Sequence, residues 1–114
     1  MGKIVITDGN IILYAQLNNS LSSKNFERHL PYALSGEKEI NCYRFLAAKG
    51  RYDPMEYRTK LKKGDITLDH GFFSICIEDD FFTTPSIVIG RLETESIFQL
   101  ENLPKTMNIY ICSA

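Results

Sequence analysis

What most constrains this chain is the rhythm of its apolar residues. Short β-rich runs recur along its whole length, at 3–7, 10–17, 40–47, 66–69, 72–78, 86–92 and 105–112. Turn-forming residues close several of them: Asp8-Gly9 after the first, then His70-Gly71 and Asp79-Asp80. An Asp-Gly pair between two such runs signals a hairpin. The last run shows the period of two plainly, with Met107, Ile109 and Ile111 alternating with Asn108 and Tyr110. Only two segments have helical spacing. In 23–30, capped by Ser22 or Ser23, Phe26 and Leu30 share a face with Ala33, and Pro31 ends the helix. In 95–100, capped by Thr94, Ile97 and Leu100 lie on one side. The stretch Ser35-Gly36-Glu37-Lys38 and the polar residues 49–63 read as loops. Many short strands with two small helices predict a mainly β chain, a closed barrel of about eight strands.

Length and charge narrow the function classes. The 114 residues form a single domain, 1–114, with no repeat or linker-like stretch. A formal charge of −1 gives no electrostatic reason to expect a nucleic acid or an anionic membrane as partner. No apolar run approaches the roughly 18–20 residues that span a bilayer. The first residues turn polar at Asp8, too early for a signal peptide core, so a cytoplasmic location is expected. Cys42, Cys76 and Cys112 are scattered among apolar neighbours without a C-x-x-C pair, and read as small buried strand residues.

The chemistry-bearing residues do not assemble a known catalytic pattern. Glu78-Asp79-Asp80 lacks the spacing of a calcium loop and reads as a solvated turn. Asp69-His70 are neighbours that a strand would point to opposite faces. No G-x-S-x-G, G-x-G-x-x-G or Walker pattern occurs, and two distant histidines with dispersed thiols give zinc no support. No metal, cofactor or catalytic residue is therefore expected. A basic stretch does stand out: Lys49, Arg51, Arg58, Lys60, Lys62 and Lys63, interleaved with Tyr52 and Tyr57. Such a mixture can bind an anionic or a single-stranded nucleic-acid ligand, although solvated loop charge is its commoner role.

The second half resembles a known family. Tyr52-Asp53-Pro54, Lys63-Gly64-Asp65-Ile66-Thr67, the apolar strand 72–77, Pro85 and Ile89-Gly90-Arg91-Leu92 follow one another in an order similar to the bacterial cyclophilin-like domains. The opening hairpin 4–17 and the helix ending at Leu30-Pro31 agree in outline. The resemblance implies a closed barrel related to the cyclophilins, whose members isomerise peptidyl-prolyl bonds. The cyclophilin F-H-R…M-Q-G-G-D signature is absent, with Lys62-Lys63-Gly64-Asp65 only echoing its end, so the barrel carries over and the catalytic set does not.

The functional expectation is a barrel of that family binding a small ligand or an extended peptide in a groove on its wall. A weak isomerase and a non-catalytic docking module are the alternatives. Contacts are expected from Tyr57, Arg58, His70, Phe82 and Arg91, where aromatic surface would lie beside cationic donors able to pair a carboxylate. Gly64 and Asp65 between them are expected to shape the turn and not to bind.

Overall fold

A computed structural model describes residues 2–46, 55, 57–69, 71–79 and 81–114, with the backbone alone for 57, 69 and 81–85. In chain order the elements are β1 (Lys3–Thr7), β2 (Ile12–Leu17), α1 (Leu21–Arg28), β3 (Tyr32–Lys38), β4 (Cys42–Leu46), β5 (Tyr57–Leu61), β6 (Asp65–Asp69), β7 (Phe72–Cys76), β8 (Phe81–Leu92), α2 (Thr94–Gln99) and β9 (Thr106–Ser113). The strands pair antiparallel in the order β2-β1-β9-β3-β4-β7-β6-β8, and β8 pairs back onto β2. That last pairing closes an eight-stranded barrel, and β5 adds a ninth strand alongside β8. The closed barrel and two short helices expected from the sequence are both present.

Side-chain alternation fills the interior. Ile4 and Ile6, Leu13 and Ala15, Tyr43 and Phe45, Ile66 and Leu68, Phe73 and Ile75, and Ile109 and Ile111 all belong to one buried cluster. A barrel of eight strands is just wide enough for such side chains to meet, so little room is left inside for a ligand. The Tyr43 hydroxyl, buried with them, donates to the carbonyls of Pro104 at 2.7 Å and Leu103 at 3.1 Å. Helix α1 packs on the cluster with Phe26, whose ring stacks on Phe73 at 5.5 Å.

Strand β8 departs from regular pairing. Where β5 advances from Arg58 to Lys60, its partner moves from Ser86 to Phe82; where β6 advances from Ile66 to Thr67, the partner moves from Gly90 to Val88. The extra residues thus lie on β8 in both places, around Ile89 and at 83–85, where Pro85 has no N–H to donate. Leu61 lies opposite Phe81 and Asp65 opposite Arg91. The few residues from Leu61 to Asp65 reach at most about 14 Å, whereas a straight strand from Phe81 to Arg91 would run about 33 Å. Strand β8 must therefore bend sharply. Asn18 holds the bend: its N–H donates to Ile89 O at 2.8 Å and its Nδ2 to Val88 O at 2.6 Å.

Several sequence expectations need correction. Residues 35–38 form the end of β3 and not a loop, because β9 and β4 bond both of its edges. Residues 57–61, expected within a loop, form β5; residues 47–54 and 56 lie outside the described residues. Helix α1 begins two residues before the expected start, because Ser20 caps it by accepting the Ser23 N–H at 3.1 Å. Ala33 leaves the helix face and stands exposed on β3. Helix α2 follows Glu93 and starts at Thr94, which is a helical residue and not the cap. Strand β2 begins at Ile12, because Asp8 Oδ1 accepts the N–H groups of Asn10 and Ile11 and lengthens the turn. Those two bonds hold the Asp8 carboxyl below its usual pKa.

Among the cysteines, Cys76 is buried, whereas Cys42 and Cys112 are only partly so. Strand alternation turns Cys76 outward with Ser74, away from Phe73 and Ile75, yet both outward residues are buried. A second buried layer thus lies outside the barrel wall. Burial pushes the Cys76 thiol up to about 12, with the Asp65 carboxylate adding to the shift. An unfolded thiol ionises near 9.0, so between those values the folded chain binds this proton more tightly. This contribution to stability is intact below pH 9.0 and falls as pH rises toward 12. Denaturant midpoints measured from neutral to alkaline pH should fall more steeply for the native chain than for Cys76→Ala. Parallel curves would show that the thiol is not buried in the folded state.

Candidate functional site

The best-supported site lies outside the barrel, where the bend in β8 meets the end of β2. Arg58 and Lys60 are alternate residues of β5 and therefore share one face, and Lys62 continues that period just past the strand. All three line a hollow of about 390 Å³, together with Asn18, Ser20 and Asp65, and Val88 forms part of its wall. Asn18 and Ser20 are committed structurally. Asn18 Oδ1 accepts from the Ser20 hydroxyl at 2.6 Å, and Ser20 in turn caps α1. One tie therefore joins the β8 bend, the end of β2 and the start of α1.

Asp65 sets the electrostatics of the rim. Its Oδ1 accepts from Arg91 Nη1 at 2.9 Å, and its Oδ2 accepts the Lys62 N–H at 2.9 Å. The turn before it needs Gly64, whose φ of +93° suits glycine and whose N–H donates to Cys76 O at 2.8 Å. Among the described residues that line it, the hollow has three cations, of which Arg58 and Lys60 also hold interactions within the chain, and one carboxylate, engaged by Arg91. In a chain of formal charge −1, that groups three of its 13 Lys and Arg side chains at one hollow. The arrangement suits an anion: each charge-assisted bond to a carboxylate or phosphate is shorter and stronger than a neutral one.

The five residues expected to make contacts fare differently. Arg58 lines the hollow, and Arg91 borders it through Asp65. Arg91 pairs with Asp65, and not with Glu93 or Glu95; Glu93 pairs instead with Lys3 at 3.1 Å. Tyr57 lies opposite Ile87 and Phe82 opposite Lys60 in the backbone register, which puts both on the β5–β8 ribbon. His70 lies outside the described residues. Lys60, Lys62, Asn18 and Val88 were not among the expected contacts. The period-two spacing of 58, 60 and 62 within the basic stretch was the signal for the lysines.

A second hollow, of about 370 Å³, lies on the wall formed by β3, β4 and β7. There the Arg44 guanidinium sits 4.8 Å from the centre of the Phe72 ring, near exposed Leu46. Glu37 and Glu39 line the same hollow and offset the Arg44 charge. No group of three potential metal ligands occurs among the described residues. No helix there is long and apolar enough to cross a membrane.

No family model and no curated protein matches this chain. Among solved structures its fold is similar to one described as McbB in complex with tryptophan, at a TM-score of 0.68 and 16% identity. The alignment covers 98% of this chain and 44% of the McbB chain, so this chain spans less than half of that protein's length. At such low identity the likeness is one of fold.

Proposed function

We propose that the chain is a binding barrel of the cyclophilin-like kind, holding a small anionic molecule or an extended peptide in the hollow between β2, α1 and β5. The observation that carries this reading is the grouping of Arg58, Lys60 and Lys62 outside a barrel whose interior is filled. A ligand excluded from the interior has to bind on the wall, and this stretch of wall carries the matching charge. Binding is favoured over catalysis because the reactive groups nearby have structural tasks. The Arg91 guanidinium is held by Asp65, and the Cys76 thiol stays protonated through burial.

The test is titration with succinate at low ionic strength, where surface charge is least screened. The native chain should bind this dicarboxylate, and Lys60→Glu should weaken binding by about tenfold or more, because one attractive pair becomes repulsive. Lys60 is exposed, so the variant should keep its stability within about 0.5 kcal/mol. Equal affinity in the two proteins would remove the hollow from consideration.

A further inference from the structure

Resting on that reading, we infer that the hollow receives an extended acidic peptide segment with carboxylates at alternate positions, each set against one of Arg58, Lys60 and Lys62. The register supplies the argument. Residues 58 and 60 lie on one face of β5, and Lys62 extends the row into the same hollow. Alternate residues of a strand repeat at about 6.8 Å. An extended partner repeats its own same-face side chains at that interval, so each carboxylate can reach a cation without bending the peptide. Three consecutive acidic residues point to opposite faces and offer at most two carboxylates to the row. A small dicarboxylate spans only part of it. Arg58 and Lys60 also hold interactions within the chain, so the incoming carboxylates join an existing network. Asp65 stays with Arg91 and Lys62 N–H, which keeps the acidic residue among the described wall residues from opposing the ligand.

Two five-residue peptides of identical composition separate spacing from bulk charge: acetyl-Glu-Thr-Glu-Thr-Glu-amide and acetyl-Thr-Glu-Glu-Glu-Thr-amide. Neither is long enough to form a stable helix in water. Titrated against the full chain, the alternating peptide should bind at least about tenfold more tightly than the block peptide. Lys60→Gln, which removes the middle cation without introducing repulsion, should erase most of that difference, while circular dichroism stays unchanged. Equal affinities for the two peptides would overturn the inference, because binding would then follow charge alone. Succinate binding with neither peptide bound would overturn it too, while leaving the hollow as a small-anion site. Failure of succinate and both peptides to bind would remove the proposed function along with it.

Discussion

Replacing Phe73 by alanine should lower the stability of the fold by about 3–5 kcal/mol, as for other fully buried aromatic truncations. Phe73 has no exposed surface and sits on β7 where β4, β6 and α1 meet it. On β7 it lies opposite Phe45 of β4 and Leu68 of β6. Its ring stacks on Phe26 of α1 at 5.5 Å and tilts against Phe45 at 6.1 Å. Removing it leaves a cavity that a closed barrel is poorly placed to collapse, since each of the eight strands of the ring is bonded on both edges. For a domain whose total stability is about 5–15 kcal/mol, that loss is a large fraction. Urea unfolding should show a much lower midpoint with little change in slope. Phe98→Ala is the control: that ring is 75% exposed, and its removal should change stability by less than about 0.5 kcal/mol. Similar losses at the two positions would mean that the barrel interior is not packed around Phe73.

The second large effect is expected at the seam. Gly90 pairs with Leu17 of β2 and with Ile66 of β6, so it stands where β8 closes the barrel. A Cβ there would lie 2.6 Å from the Gln16 carbonyl oxygen and 3.0 Å from Leu17 Cα. Both are backbone atoms, which cannot swing aside as a side chain can. Gly90→Val should therefore lose stability at the upper end of the about 1–3 kcal/mol typical of overpacking. It should also weaken protection of the β2 amides against hydrogen exchange ahead of those in β4 and β7. A variant as stable as the native chain would show that β2 and β8 do not meet at Gly90.

How much of this was legible depended on where neighbouring elements override local composition. Strand β9 was plain, because one face is buried and the other exposed along its length, which writes a period of two into the residues. The end of β3 was not, because Ser35, Gly36, Glu37 and Lys38 have the composition of a turn; they form a strand because β9 and β4 flank it. Strand β5 was hidden by its charge, since Arg58 and Lys60 serve an exposed face. At the site, Arg58 and Arg91 were found as cations near the Gly64-Asp65 turn. The approach of Asn18 and Val88 was invisible, because it follows from the extra residues of β8. Those insertions obey no period that composition could reveal, and only the paired strands show where they fall.

Backbone amide shifts during a succinate titration would place the ligand residue by residue. The largest changes are expected at Asn18, Ser20, Val88 and the stretch from Arg58 to Asp65, with the interior positions Ile4, Ile75 and Ile109 nearly still. Changes centred instead on Arg44 and Phe72, in the hollow on the β3, β4 and β7 wall, would contradict a binding site at the cationic wall.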